Sequence, residues 1–92
     1  MKYSYYAVFE FSSEEEISRG IYPIGIYFPD LMGCVSGADG TQHGLEMAKE
    51  ALELHLEGML ASEGRLPYPS SEENLLKNLA PNEKLFKITV VL

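Results

Sequence analysis

The chain is predicted to fold as an α+β two-layer sandwich, a mixed sheet in the order 3-2-1-4 with one long helix packed on one face. Three observations predict it. Segments at both ends and near residue 25 alternate apolar and polar side chains with the period of two that marks strands. Residues 42–62 contain no proline and are dominated by Leu, Glu, Met, Ala and Lys, the composition of a long helix. The order of these segments, three strands then a helix then a last strand, is that of a meander followed by a crossover.

The elements follow in chain order. Residues 3–11 form an aromatic strand with Tyr5, Ala7, Phe9 and Phe11 on one face and Tyr6, Val8 and Glu10 on the other. Ser12 to Gly20 is a polar break carrying Glu14, Glu15 and Glu16, too long for a tight hairpin and expected to project. Residues 21–28 form the second strand, in which Pro23 donates no ladder bond and Gly25 hints at a bulge or a close approach. The segment Phe28-Pro29-Asp30-Leu31-Met32-Gly33-Cys34 is a tight turn: Pro29 fixes φ, Asp30 is placed to bond neighbouring amides, and Gly33 permits positive φ. Residues 34–37 give a short third strand. Thr41 is the expected N-cap of the helix over 42–62.

At 100° per residue that helix shows Leu45, Ala48, Leu52, Leu56 and Met59 as a main apolar stripe. Glu46, Glu50, Glu53 and Glu57 form an acidic ridge, and Met47, Ala51, Leu54, Gly58 and Ala61 form a second stripe expected opposite the first. Gly64 closes the helix. A proline-stiffened crossover, Arg65 to Ser70, leads to a possible short helix over 72–78, and residues 84–92 form the last strand. Placed beside the first strand and parallel to it, the fourth strand satisfies the right-handed crossover rule.

Composition bounds the function. The 92 residues support a single domain, 1–92, with an ordinary globular balance of 46% hydrophobic and 23% charged residues. No run approaches the roughly 18 apolar residues of a membrane span, and the start lacks a signal-peptide core, so a cytoplasmic protein is expected. One cysteine, Cys34, allows no internal disulfide. Fourteen acidic against 7 basic residues give a net charge of −7, which disfavours nonspecific nucleic-acid binding and suits a basic partner.

With these motifs in place, the sequence resembles the HicB-type antitoxins of bacterial type II toxin–antitoxin pairs. The resemblance is carried by Val8-Phe9-Glu10, the turn Phe28 to Cys34, Asp39-Gly40-Thr41, the helical run Ala48 to Gly58, and Leu66-Pro67-Tyr68-Pro69-Ser70. It implies a partial ribonuclease-H-like βββαβ fold without catalysis. It also implies a small basic RNA-cleaving toxin partner of the HicA type, whose active site the antitoxin covers. Met32 stands where the family often has proline, and the Glu-rich insertion before the second strand is longer. Many family members continue into a DNA-binding domain after the point where this sequence ends at Leu92, so the expectation is a short form without direct DNA binding.

The residues themselves offer little to enzyme chemistry. Glu46 and Glu50 sit at i and i+4, but on the outward ridge, where a solvated acidic face is the ordinary reading. Cys34, His43 and His55 have no metal-ligand spacing. No catalytic residue, metal site or cofactor is therefore expected. The resemblance implies toxin contacts at the sheet edge and the loops flanking the turn, which points to Tyr22, Tyr27, Phe28, Asp30 and Leu31 as partner-binding, and the acidic ridge adds Glu46, Glu50, Glu53 and Glu57 on the helix. A homo-oligomer interface is assigned to Met47, Ala51, Leu54 and Gly58, since a helix on a sheet needs only one apolar face; the alternatives are that the toxin covers this stripe, or that the crossover and the short helix fold back over it. The rival reading is a stand-alone oligomerising scaffold or regulator that has no toxin.

Overall fold

The computed structural model describes residues 1–92 and contains seven elements. They are β1 (Lys2–Phe11), α1 (Glu14–Ser18), β2 (Ile24–Tyr27), β3 (Val35–Ala38), α2 (Thr41–Glu63), α3 (Glu72–Leu76) and β4 (Glu83–Val91). The sheet order is β3-β2-β1-β4, as predicted, with α2 across one face.

Alternation in β1 decides which face is which. Tyr5, Ala7 and Phe9 join Ile24, Ile26, Phe28, Leu31, Cys34, Ala38, Ile88 and Val90 in one buried cluster beneath Ala48, Leu52 and Leu56 of α2. Each fully buried large side chain of this kind contributes roughly 1.5–3 kcal/mol. Phe9 is the centrepiece: it is 0% exposed and its ring lies 4.4 Å from that of Phe86, centroid to centroid. Gly44 lets the helix seat there, because a Cβ at that position would meet Phe9 Cε2 at 2.7 Å.

Four local expectations are corrected. The polar break after β1 is not all loop: Ser13 caps Glu16 N–H at 3.2 Å while the Glu16 carboxylate accepts from Ser13 N–H at 2.9 Å, a capping box that nucleates α1. β2 is shorter than predicted because Pro23 lies outside the ladder, where its carbonyl accepts from Ser12 N–H. Gly25 makes no bulge; it pairs in unbroken register with Glu10 and Gly37. Gly40, with extended backbone, is the N-cap of α2, and Thr41 is already helical. The αL conformation of Gly64 ends that helix as expected.

The direction of β4 is the largest correction. β4 runs antiparallel to β1, from Lys2↔Val91 to Glu10↔Glu83, so the sheet is antiparallel throughout rather than mixed. The crossover rule governs parallel pairs only, so it places no constraint on this antiparallel connection. α2 ends beside the turn after β2, where Asp30, Leu31, Met59 and Leu66 line one hollow. The chain then runs as a strap over residues 65–71, passing the Lys2–Tyr5 end of β1, and α3 packs on β4. This return carries the chain to the far end of the sheet, where Phe11 and Asn82 exchange hydrogen bonds, and β4 must then run back.

The strap is pinned by polar contacts. Tyr5 Oη donates to the Pro67 carbonyl at 2.5 Å. The Asp30 carboxylate accepts from Ser70 N–H at 2.7 Å and from Ser70 Oγ at 2.5 Å. Asp30 thus serves a segment 40 residues away rather than its own turn. Tyr6, on the face opposite Tyr5, donates to Glu72 at 3.2 Å, so α3 begins on the open face of the sheet. The short helix therefore does not cover the second stripe of α2.

Candidate partner-binding surface

Two surfaces present apolar or aromatic groups beside acidic ones. The first lies along β3. Hydrogen bonding of Phe28 N–H to Cys34 O, with the pairs Ile26↔Ser36 and Ile24↔Ala38, makes Cys34, Ser36 and Ala38 the bonded residues. Alternation in an antiparallel ladder then turns the backbone N–H and C=O of Val35 and Gly37 away from β2, onto the outer edge. Beside this edge a groove of about 400 Å3 runs between β3 and α2. Its apolar lining is Cys34, Val35, Met47, Ala51 and Leu54, with Glu50 and His55 on the helix side. Val35 and Leu54 are 65% and 66% exposed.

The second stripe of α2 is therefore placed differently from the expectation. It flanks the main stripe on the β3 side instead of opposing it. Met47 and Ala51 are half-buried against the core, Leu54 is exposed, and Gly58 lies outside the groove. The face truly opposite the core belongs to the acidic ridge. Glu46, Glu50 and Glu57 are exposed and Glu53 half-buried, with Lys49 as the one cation among them.

The second surface is the open face of the sheet near β2. Tyr22 is 64% exposed and lies over Gly37, where a Cβ would meet its ring at 2.8 Å. Tyr27, 38% exposed, donates from Oη to Glu83 at 3.1 Å. Burial first, then the Glu83 hydrogen bond and the charges of Glu83 and Glu10, push the Tyr27 hydroxyl above its ordinary range. It stays a neutral hydrogen-bond donor beside two carboxylates.

Other residues singled out in the sequence are placed elsewhere. Phe28 and Leu31 are each 2% exposed and pack in the core, so they offer a partner nothing to touch. They fill the inside of the turn whose Gly33 adopts φ 84°, and Asp30 beside them is engaged by Ser70. Cys34 is buried, donates weakly to the Ala51 carbonyl at 3.6 Å, and burial raises its thiol to about 11, the setting of an inert packing residue. His43 Nδ1 accepts from Asp39 N–H at 3.2 Å at the start of α2, well away from His55 in the groove. No group of three or more His, Cys, Asp and Glu side chains converges as a metal-ligand set. No helix is long and apolar enough to cross a membrane.

Sequence reading singled out Met47, Ala51 and Leu54, the helix side of the groove, but missed the β3 edge beside them. Val35 and Gly37 are unremarkable in a four-residue strand, and only the ladder phase shows that their amides face outward. The signal for the helix side was the run of off-stripe apolar residues Met47, Ala51 and Leu54.

An antiparallel sheet with one helix-covered face, an open edge and acid-bordered apolar grooves defines a small binding module. Comparison with known proteins gives the family. Residues 16–91 match the family described as the HicB-like antitoxin of bacterial toxin–antitoxin systems, and the chain belongs to that family. It is 38% identical over 77 residues to an uncharacterized 14.9 kDa protein of the rep-hol intergenic region of Haemophilus phage HP1 (strain HP1c1). That match spans 84% of this chain and 54% of the phage protein, so the chain covers little more than half the length of that relative. Among solved structures, a chain of a toxin–antitoxin complex from Streptococcus pneumoniae superimposes with a TM-score of 0.74 at 20% identity, covering 99% of this chain and 70% of that one. A chain of the HicA3 and HicB3 toxin–antitoxin complex gives 0.61 at 22% identity, covering 94% and 95%. At these identities the two structures speak for the fold.

Proposed function

We propose that this chain is an antitoxin that binds a small basic RNA-cleaving toxin and covers its active site, without catalysing a reaction itself. The family match over residues 16–91 carries the reading, and the complexes named for the structural neighbours support a toxin as the partner. The surface agrees in chemistry. A net charge of −7 and an acidic ridge on α2 steer a basic protein, while exposed Tyr22, Tyr27, Val35 and Leu54 supply the apolar contacts that hold it. Masking a nuclease needs only an occupied surface, so no reactive group is required of the antitoxin.

The test is to mix the purified chain with the short basic protein encoded beside its gene and follow both light scattering and RNA cleavage. A stable complex and abolished cleavage are expected. Absence of a complex at micromolar concentrations overturns the proposal. Scattering from the chain alone reads the homo-oligomer that the sequence led us to expect.

A further inference from the structure

Resting on the antitoxin reading, we infer that the partner docks by strand addition: a cationic, alternately apolar β-strand pairs with the outer edge of β3 and fills the α2–β3 groove. Two kinds of group converge there. The outward N–H and C=O of Val35 and Gly37 offer main-chain hydrogen bonds, which bind any extended backbone. Every second side chain of an added strand then points toward the helix layer, onto Cys34, Met47, Ala51 and Leu54. The groove is bounded by Glu50, with Glu46, Glu53 and Glu57 further along the same helix, and no lysine or arginine lines it.

Charge selects the occupant. A second copy of this chain paired edge to edge through β3 would bring two acidic α2 ridges together, whereas a basic strand meets them favourably. The other open edge is unsuited to the same strand. β4 is longer, but Lys84 and Lys87 are exposed along it, the usual protection against added strands and a direct repulsion for a cationic one. The groove edge is therefore where the partner's backbone and charge are both satisfied.

Amide hydrogen exchange on the complex with the neighbouring gene's basic protein tests this directly. The amides of Val35 and Gly37 should exchange freely in the chain alone and become protected on binding. Leu54→Arg should weaken binding on the order of 100-fold, as loss of a central apolar anchor does. Glu50→Lys should weaken it roughly tenfold and flatten its salt dependence. Tyr68→Ser, on the exposed strap, should bind as wild type, and far-UV circular dichroism should show all three variants folded. A complex that forms with Val35 and Gly37 unprotected and Leu54→Arg unaffected would overturn strand addition while leaving the antitoxin reading intact. Failure of the wild type to bind removes both.

Discussion

The helix α2 and the strap over residues 65–71 both hold to the same sheet, but by different physics. α2 is seated by area: Ala48, Leu52 and Leu56 are 0% exposed, and no polar group in its buried face needs a partner. The strap rests Leu66 against the core and is otherwise seated by points: Tyr5 to Pro67 and Asp30 to Ser70. Area burial is insensitive to pH and shared by the whole fold. Point contacts are directional, local and titratable. One element should therefore fail only with the molecule, and the other should be able to fail alone.

That contrast can be broken at its strong end first. Leu52→Ala should cost about 2–5 kcal/mol, the range for deleting a fully buried leucine, and denaturant unfolding should lose stability for sheet and helix together. Gly44→Ala should cost roughly 1–3 kcal/mol despite the better helix propensity of alanine, since the new methyl group meets Phe9. If thermal melts show it stabilised, the close approach of α2 to Phe9 is wrong. Asp30→Ala should cost about 1–2 kcal/mol by leaving the Ser70 donors without their acceptor. Its signature is local: exchange should quicken at Ser70 while the amides of β1 stay protected.

The smallest effects are those of pH. Burial, then the charges of Asp30 and Tyr3, hold the Tyr5 hydroxyl above its ordinary value of 10.0. A raised folded value means that its contribution is whole below pH 10 and is lost as pH rises through that higher value. Tyrosinate absorbance should therefore rise late for Tyr5, together with strap exchange. At the acid end, hydrogen bonds from the Ser13 backbone and side chain hold Glu16 below its ordinary value of 4.5. That support is present above pH 4.5 and fades as pH falls through the lowered value, fraying α1 alone. Chemical shifts of Ser13 and Glu16 would report it.

The same division explains what could be read from the sequence. Elements seated by area announce themselves by periodicity, so β1, β4, α2 and the sheet order were legible. Features set by single contacts were not. The direction of β4 depends on where the strap turns, which rests on Ser70 meeting Asp30 across 40 positions. Phe28 and Leu31 looked available because a turn beside an edge is usually exposed; here the turn folds its apolar side chains inward. The second stripe of α2 was misplaced because a flanking stripe and an opposing one differ by a rotation that composition does not show. The acidic ridge was legible as a pattern, while the groove beside it depends on an adjacent strand edge.

The pairing of β1 with β4 also sets the order of events as the chain is made. β1 leaves the ribosome before the rest of its sheet, yet the strand that completes one of its edges lies about 80 positions later, from Lys2↔Val91 to Glu10↔Glu83. Until then, an aromatic strand at the centre of the future sheet can pair only with β2, and only over Val8 to Phe11. Contacts this distant in sequence form slowly, because a long loop must close before any of them is made. During synthesis the nascent chain therefore carries an unfinished sheet, exposed to other strands and to proteases until β4 emerges.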